Sequence, residues 1–278
     1  MYGGKMGIRA MSAGGAGGSG PVLVTGAARR IGLAIAGRLA HGGRPVVLHA
    51  SHRSIEEAEL AAEAIRAKGG RAAVVGADLS DARETEALMG LAARAFGPVT
   101  LLVNNASVFE LDAAQDFSVE VFDRQFAVDL RAPLLLARDM AAQLPEEAEG
   151  AIVNIVDQRV FRLTPRYFTY TLAKSALWTA TRTMAQAFAP RIRVNAVGPG
   201  PVFPNAVHGQ KGFETEARGV PLRRPADVSG VVDAVVFLAE ARSVTGQMIA
   251  VDGGQHLAWE TPDVLPISAS TGMTKRPR

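Results

Sequence analysis

This sequence predicts a single doubly wound α/β domain, with about seven parallel strands flanked by helices. Three observations carry that expectation. From Pro21 to Val251, short β-branched runs alternate with longer, Ala-rich stretches of helical period. The strand segments are apolar at consecutive positions, so both their faces must be covered, as in a parallel sheet between helical layers. No repeat or internal linker divides the 278 residues, a length that suits one large domain.

In order, Pro21–Thr25 reads as a strand, Ile31–His41 as a helix and Pro45–His49 as a strand. Ser54–Lys68 is a helix, with Ser54 as N-cap and Glu57 three residues on forming a capping box. Ala72–Ala77 is a strand, followed by helix Asp81–Phe96, opened by Ser80 or Asp81, and strand Val99–Asn104. A long helix from about Ser118 to Gln143 precedes strand Ala151–Val156, helix Tyr167–Ala189 and strand Ile192–Val197. Helix Ala226–Ala239 and strand Met248–Val251 complete the domain. Right-handed crossovers wind these units onto both faces of one sheet. The domain is read as 21–257, with a Gly-rich disordered leader over 1–20 and a tail over 258–278. Met1, Met6 and Met11 each offer a start.

Composition excludes several functions. With no cysteine there is no disulfide, thiolate nucleophile or cysteine-ligated metal. The five histidines have no metal-binding spacing, so no metal site is expected. Net charge is +3, and arginines alternate with acids along the helices, so nucleic acid is not an expected partner. Neither a signal peptide nor a membrane span is legible, which points to a cytoplasmic protein.

The first strand runs into Thr25-Gly26-Ala27-Ala28-Arg29-Arg30-Ile31-Gly32 and then a helix. A glycine turn there lets backbone N–H groups and a helix N-terminus meet a pyrophosphate. In the usual Rossmann-like domain an acid ending the second strand binds the ribose 2′-hydroxyl. This sequence instead has His49-Ala50-Ser51-His52-Arg53-Ser54, which offers positive charge and donors to a 2′-phosphate and hence favours NADPH. The bland alternative is a solvated loop before a helix. Asp78-Leu79 closes the third strand, where a carboxylate can meet the adenine amine.

Tyr170 and Lys174 lie four residues apart, on one face of a helix. An ammonium beside a phenol favours phenolate, so Tyr170 is expected to exchange protons near neutral pH. Such a pair is common by itself. It gains weight from the phosphate turn, from Asn104-Asn105-Ala106 after the fourth strand, and from Pro199-Gly200 after the sixth.

Together these segments resemble the short-chain dehydrogenase/reductase family over roughly 21–257; Val244-Thr245-Gly246-Gln247 and Val251-Asp252-Gly253-Gly254 match its C-terminal elements. The resemblance implies hydride transfer from a nicotinamide, with Tyr170 as proton donor and Lys174 holding both the tyrosine and the nicotinamide ribose. It also implies a homotetramer built through helices 118–143 and 167–189, where Leu134, Leu135, Leu136, Leu177 and Trp178 make more than one face apolar. The expected cofactor contacts are Gly26, Arg30, Ile31, His52, Arg53, Ser54, Asp78, Leu79, Asn105, Ala106, Lys174, Pro199 and Gly200.

Three departures narrow the resemblance. Asp157 stands thirteen residues before Tyr170, where the family usually has serine. Arg30 replaces the second glycine of its phosphate turn, and Phe109 follows the Asn-Asn-Ala segment. In these respects the chain resembles the pteridine reductases, including the bacterial dihydropterin reductases. That likeness implies that Asp157 joins Tyr170 and Lys174 in catalysis and that Phe109 sandwiches a pterin against the nicotinamide. It also implies that Arg30 touches both cofactor phosphate and substrate. Arg30 opposes the macrodipole of its helix unless an anion lies beside it, which agrees. Phe109 as core filler and Asp157 as a loop cap are the bland alternatives. A carboxyl at the C-terminal sheet edge could protonate a ring nitrogen or accept from an amino group.

Asp129 stands where the family has asparagine in the long helix, a residue that contributes chiefly its backbone carbonyl to a water relay. Pro133, four residues on, cannot donate to that carbonyl. The stretch Val202–Val220 follows no pattern, and Gly209, Gly212 and Gly219 mark it as a mobile lid over the substrate. The leading expectation is NADPH-dependent reduction of a dihydropterin. The rivals are a carbonyl or 3-oxoacyl reductase of the same family and a non-catalytic NADP(H)-binding protein.

Overall fold

The computed structural model describes residues 20–204 and 209–258. The predicted leader apart from Gly20, the predicted tail apart from Ala258, and the lid's residues 205–208 lie outside this range.

Seven strands form one parallel sheet in the order β3-β2-β1-β4-β5-β6-β7. They are β1 Val22–Val24, β2 Val46–Ala50, β3 Ala72–Gly76, β4 Leu101–Asn104, β5 Gly150–Ile155, β6 Ile192–Pro199 and β7 Met248–Val251. The helices between them are α1 Arg30–His41, α2 Ile55–Ala67, α3 Ala82–Phe96, α4 Val119–Phe126, α5 Ala132–Gln143, α6 Phe168–Ala187, α7 Gly209–Gly219 and α8 Val228–Glu240. Strand alternation splits the core between two layers. Val22 and Val24 pack with Ile35 of α1, Ile65 of α2 and Val235 of α8. Leu23, between them, faces the other way, toward Leu88 of α3, Leu136 and Met140 of α5, and Met184 of α6.

The strand order reverses where β1 pairs with both β2 and β4. Turns leaving the C-terminal ends of these strands diverge there, opening the crevice in which such sheets bind ligands.

Three local expectations change, and one open alternative is settled. Ser54 precedes α2, but its hydroxyl lies 3.2 Å from that of Ser51 and caps no helical N–H. A 3₁₀ turn over His52–Ser54 directs the hydroxyl away, and Glu57 pairs with Arg29 at 3.5 Å instead, so no capping box forms. Asp81, rather than Ser80, caps α3 through the N–H groups of Arg83 and Glu84. The long helix is broken by a π turn over Ala127–Arg131, in which the N–H of Ala132 reaches back to the carbonyl of Ala127. Pro133, in the first turn of α5, has no N–H to offer the preceding turn, and the wider turn accommodates it. The patternless lid segment contains α7, bounded by Gly209 and Gly219. Among the described residues no helix is long and apolar enough to cross a membrane.

Candidate active site

The phosphate turn is built by side chains that tie β1 to β4. Thr25 Oγ1 accepts the N–H of Asn105 at 2.9 Å and that of Ala106 at 3.0 Å. Asn105 Nδ2 returns to the carbonyls of Thr25 and Gly26 at 2.8 and 3.0 Å. Gly26 has φ +61°, and a Cβ there would come within 2.9 Å of Ala106 Cα, so only glycine fits. Its N–H donates to His49 Nδ1 at 3.1 Å, while His49 Nε2 faces the Ala77 carbonyl, also at 3.1 Å. That arrangement needs the neutral ring protonated on Nε2, and burial pushes its pKa down to about 4. Gly26, Asn105 and Ala106 thus shape the turn, their own N–H groups being engaged by protein. The sequence predicts that backbone N–H groups of the glycine turn meet a pyrophosphate; that of Gly26 is engaged by His49 instead.

Arg30 occupies the left-handed region at φ +54°, the conformation for which a glycine is usual. Its guanidinium crosses to the segment after β6, donating to the Pro204 carbonyl at 3.1 Å and lying 5.3 Å from the Phe203 ring centre. No acid occupies the first turn of α1. At the end of β2, His52 is held by Glu84 at 2.7 Å, and Ser51 and Ser54 are joined to each other, which leaves Arg53 as the exposed cation. Asp78 binds the N–H and hydroxyl of Ser80 at 2.8 and 2.7 Å, contacts that hold its carboxyl below the usual range. Ile31 and Leu79 commit their side chains to the core.

Across the crevice, α6 carries Tyr170 and Lys174 toward the ends of β4 and β5. Its N-terminus is fixed from far away in sequence: buried Asp112 accepts the N–H of Thr169 at 3.3 Å and also its hydroxyl. Tyr170 OH donates to Asp157 Oδ2 at 3.1 Å. Asp157, just past β5, also accepts the Arg159 N–H at 2.8 Å and Arg159 Nη1 at 3.1 Å. Asp157 therefore caps the loop and also bonds Tyr170. With three donors on its oxygens it acts as an acceptor; the alternative of a carboxyl delivering a proton is not how it is placed.

Lys174 is 2% exposed and donates to the Ile155 carbonyl at 3.0 Å. Its ammonium is also 3.0 Å from Asp129 Oδ1, while Asp129 Oδ2 accepts the Val108 N–H at 3.1 Å. The expectation that Asp129 contributes chiefly its backbone is thus incomplete, because its side chain is an engaged ion-pair partner. Burial nevertheless lifts the Asp129 carboxyl above its ordinary range, against the pull of Lys174. The Tyr170 phenol is also raised well above its usual value, first by burial and then by the Asp157 and Asp129 carboxylates. This reverses the expectation of a lowered phenol. The Lys174 ammonium sits 5.7 Å from the ring centre, and Asp129 offsets its charge.

Phe109 stacks on Tyr167 with ring centres 4.3 Å apart and meets Tyr170 edge-on at 4.8 Å, so it lies in the cluster and not in the main core. Arg159 lies over both Phe109 and Tyr167, at 5.4 and 5.0 Å. Burial opposes its charge, yet Asp157 foremost, then Tyr170, Glu216 and Tyr167, hold the guanidinium above its ordinary pKa. Sequence reasoning missed Arg159, Tyr167, Thr25 and the clamping role of His49. At the far wall Gly200 N–H donates to the Val251 carbonyl at 3.0 Å, and a Cβ on Gly200 would lie 2.7 Å from Asp252 Cα. Pro199 ends β6 beside it.

The donor set fits a dinucleotide. A glycine turn leads into a helix start with two arginines and no acid, and a buried ammonium spends only two of its three donors on Ile155 and Asp129.

The chain matches the sequence model described as enoyl-(acyl carrier protein) reductase over residues 26–256. It is a member of the short-chain dehydrogenase/reductase family. It is accordingly an oxidoreductase. Among solved structures it is similar to FolM alternative dihydrofolate reductase 1 of Brucella canis, in complex with NADP. That likeness has 51% identity, a TM-score of 0.85, and coverage of 88% of this chain and 96% of that one. The counterpart from Brucella suis, also with NADP, is equally similar at 51% identity, covering 87% of this chain and 97% of its own. An uncharacterized oxidoreductase of Methylorubrum extorquens is 39% identical over 84% of this chain and 96% of its own length. L-xylulose reductase of Bos taurus is 35% identical over 84% and 94%, respectively.

Proposed function

We propose that this short-chain dehydrogenase/reductase is an NADPH-dependent reductase acting on a dihydropterin. The observation that carries this reading is Asp157: a carboxylate with 13% side-chain exposure, bonded to Tyr170 OH at 3.1 Å, stands where the family's usual serine would serve a carbonyl. A pterin presents ring N–H and amino donors that such an acceptor can pair, whereas a ketone oxygen developing negative charge is repelled by it. Phe109, edge-on to Tyr170, offers a flat apolar surface beside those polar groups. The 51% likeness to two proteins named alternative dihydrofolate reductases, both with NADP, supports the reading.

The dinucleotide, when bound, supplies the hydride, which goes to a ring carbon of the substrate's C=N bond. Tyr170, kept protonated by burial and by two carboxylates, gives its proton to the adjacent nitrogen. Lys174 holds the nicotinamide ribose through its remaining donor and stabilises the phenolate that forms. Arg30 and the α1 N-terminus take the pyrophosphate, and Arg53 takes the 2′-phosphate. Leu134, Leu135 and Trp178 stay partly exposed on α5 and α6, which supports a homotetramer through these helices; sedimentation at micromolar concentration tests it.

Asp157→Ser tests the function. Dihydropterin reduction is expected to fall about 10²–10⁴-fold, with NADPH affinity unchanged and any activity on simple ketones kept or improved. A serine variant as active as the parent on dihydropterin overturns the assignment. Ketone activity in the parent that exceeds dihydropterin activity favours a carbonyl or 3-oxoacyl reductase.

A further inference from the structure

Arg159 and Tyr167, which touch the catalytic cluster, also line a cavity of about 620 Å³ between the 159–167 loop and α7. Three cations line it: Arg159, Arg166 and Lys211. Its single carboxylate, Glu216, is engaged by Gln255 Nε2 at 3.0 Å. Thr164 and Thr215 also line it, their hydroxyls donating to the carbonyls of Arg166 and Lys211 at 3.1 and 3.0 Å. Arg159 Nε is buried without a hydrogen-bond partner among the described residues, although Nη1 of the same guanidinium holds Asp157 at 3.1 Å. One side chain thus spans the catalytic carboxylate and the cationic cavity. Tyr167 does the same with its ring, which stacks on Phe109 at 4.3 Å and forms a wall of the cavity.

We propose that this cavity binds an anionic tail, carboxylate or phosphate, carried by the substrate whose ring lies at Phe109 and Asp157. The proposal rests on the dihydropterin reading and adds a selectivity to it. The Arg159 Nε donor is buried without a partner among the described residues, and the three lining cations outnumber the one lining carboxylate, Glu216, so the cavity carries an excess of positive charge that an entering anion balances. A substrate with an anionic extension fills that need, and a neutral one leaves it unmet. The volume falls in the range of small-ligand sites, about 300–1,000 Å³, so it accommodates more than a single ion.

The test compares the parent with the double variant Arg166→Glu/Lys211→Glu, and with the milder Arg166→Ala/Lys211→Ala. Substrates are dihydrofolate (carboxylates), dihydroneopterin monophosphate (phosphate) and neutral dihydroneopterin. Charge reversal is expected to raise KM about tenfold for at least one anionic substrate, with kcat retained and neutral KM within about twofold. The alanine pair is expected to give a smaller shift of the same sign, and the parent's anionic KM to rise with salt. A shift with dihydrofolate alone assigns carboxylate, a shift with the monophosphate alone assigns phosphate, and a shift with both assigns charge. Equal shifts for neutral and anionic substrates, or none, overturn the proposal. If no pterin is turned over, the functional reading falls, and calorimetry on the NADP-loaded protein still judges the cavity. Binding of N-(4-aminobenzoyl)glutamate or glycerol phosphate that charge reversal weakens supports the site; no binding, or unchanged binding of both, overturns it.

Discussion

The Lys174 ammonium and the Asp129 carboxylate face each other at 3.0 Å with 2% and 0% side-chain exposure. Removing one member of a buried pair strands the other, typically at about 3–5 kcal/mol. Asp129→Asn is therefore expected to lower unfolding stability by several kcal/mol, measured by urea titration. It also removes a negative charge that disfavours the Tyr170 phenolate. The phenol then ionises at lower pH, and because the protonated phenol is the donor, the alkaline limb of the reductive pH–rate profile moves down. An unmoved limb contradicts this account of Tyr170.

Arg30 separates stability from binding. In the left-handed region a side chain costs about 1–2 kcal/mol relative to glycine. Arg30→Gly is expected to raise unfolding stability by about 1 kcal/mol while lowering NADPH affinity, because the guanidinium beside the α1 N-terminus and the Pro204 contact are lost. Calorimetric melting and NADPH titration on the same preparation check both signs.

Arg53→Asp is expected to lower NADPH affinity far more than NADH affinity. Arg53 is the cation at the end of β2 left exposed once His52 is taken by Glu84. Equal losses for both cofactors place the 2′-phosphate contact elsewhere.

His49 makes acid destabilisation specific. Its pKa is pushed down from 6.5 to about 4 in the folded protein, so the neutral form is the folded one. Above pH 6.5 neither state is protonated and stability is full. As pH falls from 6.5 toward 4 the unfolded chain takes the proton first, and stability drops by about 3 kcal/mol over that window. Urea midpoints from pH 7.5 to 4.5 measure the slope, and His49→Asn is expected to flatten it from a lower starting value.

Much of this was legible in sequence. Runs such as Val22–Val24 and Leu101-Leu102-Val103 are apolar on both faces, which forces a covered parallel sheet whatever the helices are. Tyr170 and Lys174 could be paired because they sit one helical turn apart, and Asp157 joined them through the resemblance to the pteridine reductases. Arg159 could not, since it reaches Asp157 only through the short 3₁₀ turn over Gln158–Val160 that Asp157 itself caps. Nor could Asp129, whose partner Lys174 is 45 positions away. The direction of the Tyr170 shift was missed for the same reason: spacing revealed the nearby ammonium, but not the burial and the two carboxylates that outweigh it. His49 read as a solvated or structural histidine at a strand end, while its clamp on the Gly26 N–H depends on a turn 23 residues earlier.

The π turn over Ala127–Arg131 sets the rotational phase of everything beyond it. One residue in an α-helix turns the axis by roughly 100°, so a one-residue wider loop acts as a phase adjuster between α4 and α5. Asp129 can point inward to Lys174 while Leu135, on the next turn, stays partly exposed on a different bearing. The inner and outer duties of this one rod are thereby decoupled. The sequence of α5 can drift, or be redesigned for a new neighbour, without rotating the carboxylate that serves the lysine. Deleting a single residue from the wide turn would mesh the two again, and every later side chain on α5 would face a different way.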